Sequence, residues 1–176
     1  ADIVTIDGPL SWKDVAAIAD GAKLSLSENT RHRITQARAV VDALVEREIR
    51  GYGINTGVGA LCDVVISREN QQALSRNIIL SHACGVGPLL GPCEVRAIIA
   101  AQIANFGHGH SGVRLEILEH LTAFLAKDCI PDMPSKGSAG YLTHNAHSAL
   151  VLIGEGHATV GGRRMTGREA LAALGA

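Results

Sequence analysis

Cys93-Glu94-Val95-Arg96-Ala97-Ile98-Ile99-Ala100-Ala101-Gln102-Ile103-Ala104-Asn105 is apolar on nearly every face of a helix. A helix with so little polar surface belongs inside a bundle, where its neighbours remove it from water. Reading outward from it, the chain is largely helical. Toward the N-terminus, Leu74, Ile78 and Ile79 mark a helix over residues 67–81. Ile34, Ala37, Val41, Leu44 and Val45 recur at intervals of three and four and predict an amphipathic helix over 27–47. Ser11-Trp12-Lys13-Asp14 has the form of a capping box, with Val15, Ile18 and Ala19 following on one face. Toward the C-terminus, Leu115, Leu118, Leu121 and Leu125 carry a helix over 113–127, and residues 142–153 form another apolar one. Loops are expected at 51–59, 85–92 and 107–112, where glycine and proline cluster, and Pro131 and Pro134 punctuate an extended stretch. Residues 157–165, with Gly161-Gly162 at the centre, predict a short hairpin. Thr166-Gly167-Arg168-Glu169 caps a last helix that is expected to run to the end of the chain. The expected fold is mainly α, a helical bundle with a small β hairpin. Residues 1–176 are expected to form one domain and to be part of something larger.

Composition narrows the function classes. The 176 residues include 16 basic and 17 acidic ones, for a formal net charge of −1. That balance argues against a polycationic nucleic-acid binder. Aromatics are 3% of the chain, too few for a base-stacking platform. No stretch approaches the roughly 18 apolar residues of a membrane span, and Ala1-Asp2-Ile3-Val4 has no signal-peptide pattern. Cys62, Cys84, Cys93 and Cys129 match no zinc framework and are expected to be reduced thiols of a cytoplasmic protein.

Four places offer chemistry. Tyr52-Gly53-Ile54-Asn55-Thr56-Gly57-Val58-Gly59 places a tyrosine on a glycine-rich loop, where it can serve as a general base or acid. Read blandly, this is a surface loop with one anchoring tyrosine. His82, in Ser81-His82-Ala83 at a helix end, can bind a polar ring or cap helix carbonyls. His108 and His110 flank Gly109, and His144 and His147 share a helix face. Neither pair has an acidic neighbour, so no metal is expected. Met133-Pro134-Ser135-Lys136-Gly137-Ser138-Ala139-Gly140 leads into a helix N-terminus, which favours an electron-rich group; Ser138 lacks the setting of a nucleophile. Arg33, Arg38 and Arg114 could meet a carboxylate but fit solvated helix surface better.

Several of these pieces, in this order, resemble the histidine and aromatic amino-acid ammonia-lyase family. They are Tyr52-Gly53-Ile54-Asn55-Thr56-Gly57, Leu80-Ser81-His82-Ala83, Ser111-Gly112-Val113, the run from Pro134 through Gly140, and Leu150-Val151-Leu152-Ile153-Gly154-Glu155-Gly156. The likeness spans almost the whole chain and corresponds to the N-terminal part of a family member. It implies a helical homotetramer with active sites shared between subunits, and a small amino acid as substrate. It also implies an electrophile, 4-methylidene-imidazole-5-one (MIO), formed from an Ala-Ser-Gly tripeptide. Tyr52 is then the base that removes the β-proton and His82 faces the substrate ring, with Asn55 and Gly59 as further substrate-binding residues. Gly140 and Tyr141 flank the cofactor position. The implied reaction is loss of ammonia from histidine or an aromatic amino acid to give an α,β-unsaturated acid. An aminomutase uses the same parts. Family residues that bind the substrate carboxylate would lie beyond Ala176, so this chain alone is expected to be inactive, and a second polypeptide is one way to supply the missing helices.

The sequence departs from the family at one point. Gly137-Ser138-Ala139-Gly140 is followed directly by Tyr141-Leu142-Thr143-His144-Asn145-Ala146-His147, where the family inserts Ala-Ser-Gly. Tyr141 takes the place of an aspartate and His144 that of a proline. Two accounts stay open: a cross-linked unit between Gly140 and Tyr141, which the gapless flanks fit, or a true deletion, which the changed neighbours fit. A true deletion points to elimination of a better leaving group, such as a quaternary amine, from a betaine-like amino acid, or to a non-catalytic relative.

Overall fold

A computed structural model describes residues 2–138 and 142–175. Its centre is α4 (Pro92–Gly107), where Val95, Ile99, Ala100 and Ile103 are fully buried. Val95, Ile99 and Ile103, withdrawn from water, contribute about 1.5–3 kcal/mol each. Around α4 pack α1 (Trp12–Ala19), α2 (Glu28–Glu46), α5 (Leu115–Ala126) and α6 (Leu142–Leu152). α5 turns Leu118, Leu121, Phe124 and Leu125 inward, and the spacing of three and four in the sequence is the reason.

Local signals account for the helix starts. The Ser11 hydroxyl accepts from the Asp14 N–H while the Asp14 carboxylate accepts from the Ser11 N–H at 2.8 Å. Ser27 caps α2 through the Thr30 N–H at 3.0 Å. Thr166 and Glu169 form the same reciprocal pair at α7 (Gly167–Leu174). Contrary to the expectation that the helical pattern continues to the chain end, α7 stops at Leu174, where Gly175 takes a left-handed φ of 73° and its N–H returns to Ala172.

The predicted hairpin is present as β6 (His157–Val160) and β7 (Arg163–Thr166). Gly161 and Gly162 between them both have positive φ, as a two-residue turn of this hand requires. The sheet content is larger than expected. β4 (Cys129–Pro131) adds antiparallel to β6 and makes a three-stranded sheet. β1 (Ile3–Ile6) and β2 (Lys23–Leu26) pair in parallel across α1, in register Ile3 with Lys23 to Ile6 with Leu26. β3 (Val86–Leu89) lies in the expected loop 85–92 and pairs antiparallel with β5 (Pro134–Lys136). These strands have three or four residues each, too short for an alternating pattern to register. The pairing in β3 and β5 also runs through proline-bearing segments that read as breakers.

α3 (Gln71–His82) begins later than its apolar pattern predicts, after a 3₁₀ turn at Arg68–Asn70. None of its residues is buried, and its main contact in this chain is α6.

Candidate active site

The Tyr52 loop is built by two buried polar side chains. Asn55, 4% exposed, accepts the Gly51 N–H on Oδ1 at 2.8 Å and donates from Nδ2 to the Ile49 carbonyl at 3.0 Å. Thr56, fully buried, accepts the Gly53 N–H and donates to the Gly57 carbonyl at 2.8 Å. Both amide groups of Asn55 are thus engaged by the loop itself. Thr56 also bridges to Val65, closing the loop against residues 64–66. The glycine at 53 is required: its φ of 68° is unfavourable for any side chain.

Tyr52 stands outward on this frame, 69% exposed. Its phenol oxygen accepts the Gly59 N–H at 3.3 Å. The phenol oxygen is therefore held by a backbone donor. Gly59, with a φ of 59°, presents that N–H. A cleft of about 590 Å³ lies beside the loop, lined by Gly53, Ile54, Gln71, Ser75, Arg38 and Arg114 among others. Arg38 is paired there with Asp42 at 2.6 Å, and Arg33 is tied to the Asp7 carbonyl at 2.9 Å.

His82, the last residue of α3, is half-buried. Its Nδ1 lies 2.8 Å from the Ile78 carbonyl and 3.0 Å from the Ser81 hydroxyl. A proton on Nδ1 that donates to Ile78 leaves Nε2 as an acceptor facing outward. The helix-capping reading of this histidine is met by the Nδ1 contact with Ile78.

Three residues further on, the chain meets α6. The Gly85 N–H donates to His147 Nε2 at 3.1 Å. A Cβ at Gly85 would stand 2.9 Å from that nitrogen and 3.1 Å from Pro134 Cβ, so only glycine fits. Gly137, with a φ of 97°, lies against the Cys84 carbonyl and Gly85 Cα. Burial and the neighbouring His144 hold the His147 pKa below the usual histidine value; Asp132 opposes them. The His144 Nε2 atom is buried without a hydrogen-bond partner. In the sequence, His147 stood out as half of a histidine pair and as part of the family-like flank Leu142, Ala146 and His147; nothing local pointed to Gly85. Among the described residues no group of three acidic, histidine or cysteine side chains is arranged to hold a metal.

Tyr52 with Gly59 and His82 with the Gly85–His147 junction are thus two separately built pieces, joined by α3. Gly140 and Tyr141 lie outside the described residues.

The profile of aromatic amino acid lyases matches residues 10–176. The chain is 44% identical over 177 residues to a histidine ammonia-lyase of Alkaliphilus oremlandii, covering 98% of this chain and 35% of that protein. Among solved structures, it superposes with a TM-score of 0.94 on the ergothioneine-degrading ergothionase of Treponema denticola, at 29% identity over 99% of this chain and 36% of that one. It superposes with a TM-score of 0.90 on histidine ammonia-lyase from Trypanosoma cruzi, at 31% identity over 98% of this chain and 35% of that one. The chain therefore spans about a third of the length of the proteins it resembles.

Proposed function

The chain belongs to the aromatic amino acid lyase family, and on that premise we propose that it is the base-bearing, N-terminal part of a carbon–nitrogen lyase. The substrate is histidine or an aromatic amino acid, and the product is the α,β-unsaturated acid. The observation that carries the reading is the outward Tyr52 phenol, steadied by the Gly59 N–H on a loop that Asn55 and Thr56 hold from within. Tyr52 acts as the base and takes the β-proton on its phenol oxygen. The C–H electron pair becomes the new double bond, and the Cα–N bond breaks with its pair leaving on nitrogen. His82 presents an acceptor nitrogen to an imidazole N–H or a phenol O–H. Asn55 and Gly59 act through the loop, by keeping Tyr52 in place. An aminomutase, which re-adds the amine at the β-carbon, needs the same residues.

Ammonia is a poor leaving group, and the family meets that difficulty with MIO. The residues of this sequence do not supply it: no Ala-Ser-Gly stands between Gly140 and Tyr141 or elsewhere in the chain. No step is therefore routed through that group. This favours a second reading, in which the leaving group is a quaternary amine that departs without an electrophile and the substrate is betaine-like. The likeness to an ergothioneine-degrading enzyme agrees with it, since ergothioneine carries a trimethylammonium group.

The test offers L-histidine and its trimethylammonium betaine to the intact protein that carries this chain. Ultraviolet absorbance follows the conjugated acid, while ammonia and trimethylamine are measured directly. Ammonia from histidine supports the first reading. Trimethylamine from the betaine, with no ammonia from histidine, replaces it with the second. Absence of both, with no ammonia from L-tyrosine or L-phenylalanine either, overturns catalysis by Tyr52. Tandem mass spectrometry of the peptide over residues 137–147 shows whether additional mass lies between Gly140 and Tyr141.

The assembly proposed is a homotetramer whose remaining helices come from the rest of the chain or from a second polypeptide; native mass spectrometry tests it. The four free thiols fit a reducing, cytoplasmic setting.

A further inference from the structure

Just after His82 the chain enters a junction of β3, β5 and α6. β3 begins at Val86 and pairs with Lys136 of β5, and Gly137 follows that pair immediately. The chain up to Gly137 is therefore anchored to the segment that follows His82. α6 approaches the same place, and among the described residues the hydrogen bond from the Gly85 N–H to His147 Nε2 is the side-chain link between them. The imidazole must be neutral and carry its proton on Nδ1, because Nε2 accepts. Gly85 has no room for a side chain between this nitrogen and Pro134.

We propose that His147 is a positioning residue for the elimination: by accepting the Gly85 N–H it fixes the turn after His82, and with it the position at which His82 meets the substrate ring. This rests on the reading of His82 as the ring-facing residue. His147 is 62 positions from Gly85 in sequence, so the link fixes the turn after His82 to α6, on which α3 itself packs. Protonation turns Nε2 into a donor facing another donor, and the link is lost. The groups around the ring are His144 one turn earlier on α6, Asp132 between β4 and β5, and His157 on β6. His147, Asp132 and His157 line one cavity of about 230 Å³. Arg164 of β7 neutralises Asp132 at 2.8 Å. With burial and His144 depressing the His147 pKa, the link is intact at neutral pH and fails only as pH falls below the ordinary histidine range.

The experiment compares His147→Leu, which has no acceptor, with His147→Gln, whose amide oxygen reaches the Nε2 position and does not titrate. Both are made in the intact protein. Hydrogen–deuterium exchange of the peptide over residues 83–90 is measured alongside KM and kcat on the ring-bearing substrate. The expected result is faster exchange in His147→Leu, a KM raised about five- to tenfold with kcat little changed, and recovery of both in His147→Gln. The wild-type KM rises as pH falls below the histidine range, and His147→Gln lacks that rise. Gly85→Ala, which collides with the ring, reproduces the leucine variant. Unchanged exchange in His147→Leu overturns the link. Faster exchange with an unaltered KM overturns the positioning role while leaving the lyase reading in place. If the wild type eliminates from neither substrate, the lyase reading fails, the role in elimination falls with it, and the exchange rate judges the link alone.

Discussion

Arg96 in α4 and Asp128 just after α5 form an ion pair at 2.8 Å in which only one partner is buried: the arginine side chain is 6% exposed and the aspartate 76%. The guanidinium also donates to the carbonyls of Ile18 at 2.9 Å, Leu125 at 2.8 Å and Ala22 at 3.2 Å. It thereby closes the C-terminal ends of α1 and α5, whose last carbonyls have no partner within their own helices. Replacing Arg96 by methionine keeps the bulk and removes the donor to all three carbonyls, of which Ile18 retains the Gly21 N–H. The expected cost is about 3 kcal/mol of unfolding free energy. Asp128→Asn costs less than about 1 kcal/mol, because that carboxylate lies in water. Urea unfolding of the two variants checks the ranking, and equal losses would contradict it.

Removal of the Tyr52 hydroxyl tests the chemistry. Tyr52→Phe loses the hydrogen bond with the Gly59 N–H at 3.3 Å but disturbs no buried contact, since the side chain is 69% exposed. Turnover is expected to fall by roughly 10²-fold or more, with a melting temperature close to that of the wild type. A variant that turns over normally would remove Tyr52 from the role of base.

Gly167, the first residue of α7, lies under the backbone of the preceding turn. A Cβ there would stand 2.0 Å from the Glu155 carbonyl oxygen, and the Gly167 N–H donates to Gly156 at 2.9 Å. Gly167→Ala must push the α7 start away from that turn, at a cost of about 1–3 kcal/mol. Arg168→Ala, one position on, is expected to be nearly neutral. Thermal melts of the pair distinguish a packing effect from a general weakening of α7.

Acid weakens the helix starts. Glu169 is held below the usual carboxylate range by the Thr166 N–H and hydroxyl, and Asp14 likewise by Ser11. Asp7 is lowered mainly by the Ser27 hydroxyl. A carboxylate with a depressed pKa in the folded state binds protons more readily when unfolded. Its contribution is therefore complete above the ordinary carboxylate range and is lost as pH falls through the depressed value. The melting temperature should drop across that acid range. Glu169→Gln should show a shallower drop than the wild type, and an identical slope would rule out this source.

The cysteines should react unequally. Burial pushes the Cys129 thiol up to about 12, whereas Cys84 and Cys93 are exposed. Because the thiolate is the nucleophile, iodoacetamide at mildly alkaline pH is expected to label Cys84 and Cys93 and spare Cys129 until the protein unfolds. Peptide mapping reads this directly; early labelling of Cys129 would mean that the α5–β4 corner opens in the native state.

What the sequence determined by itself was whatever is signalled within a few residues. Ser11, Ser27 and Thr166 start helices through bonds spanning three positions, Gly161-Gly162 turns the hairpin, and residues 93–105 declare a buried helix by having no polar face. The Tyr52 loop was legible for the same reason, since its glycines and tyrosine are adjacent in the chain. Tertiary structure alone decided the pairings between distant segments. β1 with β2 and β3 with β5 are too short to announce themselves, and β5 lies far along the chain from β3. Nothing in the sequence marked the partners of Arg96, since the carbonyls of Ile18 and Leu125 lie 78 and 29 positions away. His147 read as half of a histidine pair until Gly85 came to its Nε2 across 62 positions. Caps and turns are set by backbone geometry over one helical turn, which sequence encodes directly. A hydrogen bond between remote elements depends on how the apolar faces pack first, and only the folded chain brings its partners together.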